Sequence, residues 1–127
     1  MFQLKLYFPS TICGVGLIAF VVLNGCGKRP TPGISTAEEA QAAIQNAFKQ
    51  ASPESKTAAD EAAAAIQNEP ATALSKLQAL SSNPDLDPQQ RNATQDSILV
   101  VAGKLRAAAA AGDAQAEKAL DEYRASK

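Results

Sequence analysis

"ALSKLQALSSNPDLDPQQ", residues Ala73–Gln90, holds the two signals that decide the fold. Ala73, Leu74, Leu77 and Leu80 fall on one stripe of a 3.6-residue helix. The run stops at Ser81-Ser82-Asn83-Pro84, because the residue before a proline is pushed out of the helical region. The helical pattern restarts at Asp87-Pro88. An Asp at the cap accepts free first-turn amides, and a proline in the first helical position lacks only an N–H that has no partner there. Two helices joined by so short a loop read as an antiparallel hairpin.

Working outward, the second of these helices is the longest, from Pro88 to about Ala111. Its face holds Thr94, Ile98, Val101 and Leu105, with Leu99 and Ala102 beside them. Gly103 sits inside it at a cost of about 1 kcal/mol relative to Ala, and reads either as a close helix contact or as a tolerated residue. Gly112-Asp113 breaks the chain, and a last helix carries Ala116, Ala119, Leu120 and Tyr123. On the other side, Pro70 ends or kinks a helix that opens at Ser52-Pro53-Glu54 and carries Ala58, Ala59, Ala62, Ala65 and Ile66. Before it, Thr36-Ala37-Glu38-Glu39 has the form of a capping box, leading a stripe of Ala40, Ala43, Ile44, Ala47, Phe48 and Ala51. Alternating strand patterns are missing, so the expected class is all-α, with about five helices in a small, loosely packed helical-hairpin bundle over residues 36–127. The stretch from Ala62 to Leu105 loosely resembles tetratricopeptide-like helical pairs in its Ala-Leu-rich helix and Asn-Pro turn, without the Trp and Gly-Tyr positions of those repeats or a second copy at a fixed period.

The segment before the bundle has a different character. Between Lys5 and Lys28 lies an apolar run of 12 residues, Ile12 to Leu23. That is the length of a signal-peptide core and short of the roughly 20 residues of a membrane span. The run ends in Leu23-Asn24-Gly25-Cys26, which resembles the lipobox of bacterial lipoproteins. The resemblance implies cleavage between Gly25 and Cys26 and a diacylglyceryl group on the Cys26 thiol. Residues 1–25 are then a signal peptide, 26–35 the lipidated Cys and a flexible linker, and 36–127 the Ala-rich helical domain. An uncleaved anchor, using the 22 uncharged residues between Lys5 and Lys28, and an ordinary secretory cut are the competing readings. The linker has two prolines and two glycines in Gly27–Ser35. Lys28 and Arg29 read as its solubilising charges, and near an anionic surface each would contribute about 1 kcal/mol. In the lipoprotein family an Asp after the lipid Cys favours the inner membrane. Here Gly27 and Lys28 follow, which implies the outer membrane, facing the periplasm.

Counting from Cys26, 14 of 102 residues are Ile, Leu, Val or Phe, and the net charge is near −2. Alanine supplies most of the remaining apolar surface, and each alanine buries little area. The expectation is high helix content and modest stability, with a hydrophobic centre at Leu74, Leu77, Leu80, Ile98, Val101 and Leu105. The two Ala-rich N-terminal helices are expected to be the least firmly packed part.

Chemistry-bearing patterns are scarce. The chain has no His and no Trp, and its two cysteines, Cys13 and Cys26, precede the bundle. Nucleophile–base arrangements therefore lack their parts. A charge of −1 offers no field for nucleic acid. Glu38-Glu39, Asp60-Glu61 and Asp121-Glu122 are neighbours in sequence, and adjacent helical positions point apart. Asp85 and Asp87 lack the spacing of a calcium loop. The chain is expected to be no enzyme, with no catalytic residue, cofactor, metal or nucleic acid. Its expected partners are membrane lipid, through Cys26, and an envelope protein. The alternative rests on Lys127. A C-terminal Lys on an Ala-rich lipoprotein resembles the Braun-type family, whose terminal Lys is joined to peptidoglycan, although that family is one heptad coil and this chain is broken by Pro53, Pro70, Pro84 and Pro88.

Overall fold

The computed structural model describes residues 33–127. The expected signal peptide, its cleavage site at Gly25–Cys26 and the linker up to Pro32 lie outside the described residues. Five helices follow: α1 (Ala37–Ala47), α2 (Pro53–Asn68), α3 (Pro70–Ser81), α4 (Pro88–Ala110) and α5 (Ala114–Ala125). Among the described residues there is no strand, and no helix is long and apolar enough to cross a membrane.

The helix boundaries follow from cap chemistry. At α1, Glu39 N donates to Thr36 Oγ1 (3.2 Å) while Thr36 N donates to Glu39 Oε2 (3.1 Å), a reciprocal capping box. A second box opens α4, where Gln90 N donates to Asp87 Oδ1 (2.8 Å) and Asp87 N donates to Gln90 Oε1 (3.1 Å). Ser52 caps α2, and Asp113 caps α5. Pro70 ends one helix and starts the next. Only Glu69 separates α2 from α3, at φ −130° and ψ 65°, since the proline ring bars it from helical geometry. Helix α4 ends in a Schellman motif: Gly112 N donates to the Ala109 carbonyl (2.9 Å) and Asp113 N to that of Ala108 (3.1 Å). The left-handed position needed there, φ 96°, falls on Gly112.

Cross-helix bonds give the topology. Lys76 meets Glu61 and Asn83 meets Ser55, so α2 and α3 run antiparallel. Gln67 Nε2 donates to Gln41 Oε1 (2.6 Å) between α2 and α1. Ser97 Oγ donates to the Ala40 carbonyl (3.3 Å), joining α4 back to α1. The first four helices thus close into a ring, each packed on two neighbours. An open stack of helical pairs has no such contact between its first and fourth helices. Helix α5 lies against α4 and α3, where Gln78 Nε2 donates to Ser126 Oγ (2.7 Å).

The core is wider than the sequence suggests. Leu74, Leu77, Leu80, Ile98, Val101 and Leu105 are buried as expected. So are Ile44, Phe48 and Ile66, set among the fully buried Ala40, Ala59, Ala62 and Ala63, and all belong to one continuous cluster. The expectation that α1 and α2 are the least firmly packed part is not what the structure presents. Small alanines let the backbones approach, so three large side chains suffice to fill that side. Leu86 is buried and plugs the α3–α4 loop into this cluster. Three polar side chains are buried: Thr94 and Ser97 donate to backbone carbonyls, Thr94 Oγ1 to that of Gln90 (2.8 Å), and the Gln90 side chain accepts from Asp87 N. Leu99 faces outward, 62% exposed. Gly103 makes no close helix contact, because a Cβ there would meet nothing within 4 Å.

Candidate functional site

The carboxylates that neighbour one another in sequence are separated by their partners. Glu39 is drawn into the α1 cap, where its Oε2 accepts from Ser35 N (2.8 Å), Ser35 Oγ (2.9 Å) and Thr36 N (3.1 Å). These bonds, the Ser35 amide foremost, hold its carboxyl below its usual range. Glu38 beside it is exposed. Asp60 pairs with Lys56 (2.8 Å), and Glu61 crosses to Lys76 on α3 (2.7 Å). On α5, Asp121 pairs with Arg124 (2.7 Å), and Glu122 faces Lys118 at 3.8 Å. The Asp85–Asp87 loop is likewise committed to structure: Asp87 caps α4, Asn83 Oδ1 accepts from Asp85 N (2.9 Å), and Leu86 between them points into the core. No group of three or more metal-ligating side chains converges among the described residues.

Among the described residues, an open cleft of about 870 Å³ lies where the start of α2, the end of α3 and the α3–α4 loop meet. Ser52, Ser55 and Asn83 form a hydrogen-bonded seam along its wall, and the Glu61–Lys76 pair spans its side. Its polar groups bond mainly to one another, which makes the cleft a joint between helices rather than an array of convergent donors.

Lys127 lies just beyond α5, exposed. Its Nζ stands 5.0 Å from the centroid of the Tyr123 ring, a cation–π contact of about 0.5–1 kcal/mol at an exposed site. Ser126 Oγ donates to the Tyr123 carbonyl (2.8 Å) and accepts from Gln78, so the residues before Lys127 are fastened to α3. Cys26, the residue on which most of the functional expectation rests, is outside the described residues.

Two features were not anticipated from the sequence. Lys104 reaches from α4 to the end of α2, where its ammonium donates to the carbonyls of Ile66 (3.3 Å) and Gln67 (3.0 Å). It places a positive charge on the negative end of that helix. The signal available was its place one residue before Leu105, at the edge of the buried stripe. The second feature is a shallow depression of mixed lining, in which Ile34, at the end of the linker, lies beside Leu99, Val100 and Gly103 of α4, with Glu38 and Lys104 also on its wall. The outward turn of Leu99 follows from the helical step: Thr94, Ile98, Val101 and Leu105 define the inner stripe, and Leu99 lies one 100° rotation from Ile98.

No family model, curated protein or solved structure matches this chain.

Proposed function

We propose that the protein is a non-catalytic lipoprotein of a bacterial cell envelope, anchored by acyl chains on Cys26. Its helical bundle serves as an interaction or structural module at the membrane surface. The observation that carries this reading is Leu23-Asn24-Gly25-Cys26, placed at the end of a 12-residue apolar run and followed by a Pro- and Gly-rich linker. Two acyl chains make a stable attachment, where one alone is marginal. The linker from Cys26 to Ser35 spans at most about 35 Å, so the bundle stays near the surface that holds it. With Gly27 and Lys28 after the cysteine, the outer membrane facing the periplasm is the favoured address. In the bundle, Glu39 and Asp87 serve helix caps, and Asp60, Glu61 and Asp121 sit in ion pairs, which is a structural use of those carboxylates.

Intact mass of the chain extracted from membranes tests the proposal. A chain beginning at Cys26 and carrying diacylglyceryl and acyl mass is the expected result. An uncut, unacylated chain, or one cut but free of lipid, would overturn it. A further adduct mapped to Lys127 would assign the protein to the wall-tethering alternative.

A further inference from the structure

From Leu99 onward, the outer face of α4 has a composition unlike the rest of the surface. Between Ser97 and Ala111 the charged residues are Lys104 and Arg106, with no acid. Leu99, Gly103, Arg106 and Ala110 recur at helical spacing along one exposed line, about 16 Å long. Leu99 is the one large hydrophobic residue among those described that is left exposed, at 62%. Val100 and Ile34 are half-buried beside it, and the bare backbone at Gly103 keeps the surface shallow. The nearest carboxylates are Glu38 at the rim of the depression and Asp96, one turn before Leu99. Other faces are more acidic: α5 carries Glu117, Asp121 and Glu122, and α2 carries Glu54, Asp60 and Glu61.

We infer that this face, Ile34 with Leu99, Val100 and Arg106, seats on an anionic lipid surface. The inference rests on the proposed anchoring at Cys26. Ile34 is eight residues from Cys26, at most about 29 Å of chain, so this is the side of the bundle at which the linker arrives. An exposed leucine with Arg106 two turns along the same line matches an interfacial contact, whose strength combines apolar burial with attraction to anionic headgroups.

The chain contains no Trp, so a single introduced Trp reports its own surroundings. Full-length Leu99→Trp and, as a control on α5, Lys118→Trp are extracted from membranes and checked by intact mass. Each is then reconstituted into phosphatidylethanolamine–phosphatidylglycerol vesicles with and without brominated acyl chains. The expected result is that bromine quenches Leu99→Trp at least about twofold more strongly than Lys118→Trp, and that adding Arg106→Glu reduces this difference. An acylated chain with equal quenching at the two positions would overturn the inference and leave the anchor standing. An acylated chain whose Trp at position 99 is shielded from aqueous iodide but not quenched by bromine would also overturn it, since protein would then cover the face. A chain without acyl mass would overturn the anchor reading itself, whatever the fluorescence.

Discussion

The two halves of the ring reach the same degree of burial by different means. On the α3–α4 side, Leu74, Leu77, Leu80, Ile98, Val101 and Leu105 fill the space with large side chains. On the α1–α2 side, Ala40, Ala59, Ala62 and Ala63 are fully buried, and Ile44, Phe48 and Ile66 supply the bulk. A leucine-rich interface holds its helices apart and distributes burial over many residues. An alanine-rich one draws the backbones together and concentrates burial in a few. The Ala side should therefore be intolerant of two opposite changes: loss of its rare large residues, and growth of its small ones.

The sharpest test of that difference is a matched pair of truncations. Phe48→Ala should cost about 3–5 kcal/mol and Leu77→Ala about 2–5 kcal/mol, read from urea denaturation. If the halves share one core, each variant unfolds in a single transition at a lower midpoint. If α1 and α2 were an appendage, Phe48→Ala would instead split the curve and leave hydrogen-exchange protection in α3 and α4 unchanged. Enlarging a small residue probes the other intolerance. Ala62→Leu should destabilise by about 1–3 kcal/mol, because the surrounding backbones have no room to give. A neutral effect would mean that the alanines are merely tolerated and that close approach is not what they provide.

Helix positions and fold class were legible because they depend on local chemistry. Thr36, Ser52, Pro53, Asp87, Pro88 and Gly112 set the boundaries through caps and prolines, and these act within four residues. The closure of α1 onto α4 was not legible. It depends on packing between segments far apart in the chain, such as the Ser97–Ala40 bond across 57 positions, which no local pattern specifies. The low content of large side chains suggested a thin core, since counting residues ignores how closely alanines let helices approach. Of the candidate site, Cys26 is a pattern in the chain alone, whereas the Leu99 face emerges only when the inner stripe of α4 is fixed by its neighbours.

Gly103 sharpens the contrast from the opposite direction. On the Ala side a methyl group is a packing element, whereas at Gly103 an added methyl would meet nothing within 4 Å. Gly103→Ala should therefore stabilise the protein by about 0.5–1 kcal/mol through helix propensity and the unfolded chain's entropy. The thermal midpoint checks this, and a loss of stability would show that this face is more crowded than its geometry indicates.

The smallest expected difference lies in the capping boxes, where α1 returns a carboxylate, Glu39, and α4 returns an amide, Gln90. Only the first of these arms titrates. Amide and hydroxyl donors from Ser35 and Thr36 hold the Glu39 carboxyl below 4.5. A depressed value in the folded state means that the unfolded chain binds the proton more readily. The stabilisation is therefore fully present above about pH 4.5 and is lost as the pH falls through the lower folded value. Glu39→Gln keeps an acceptor for the same donors and removes the charge, reproducing the chemistry of the α4 box. Thermal midpoints of the two proteins should differ above pH 4.5, with wild type higher, and converge in acid. A gap that persists unchanged to the lowest pH would mean that the side chain acts there through shape alone, and that the α1 cap is as indifferent to protons as the Gln90 arm.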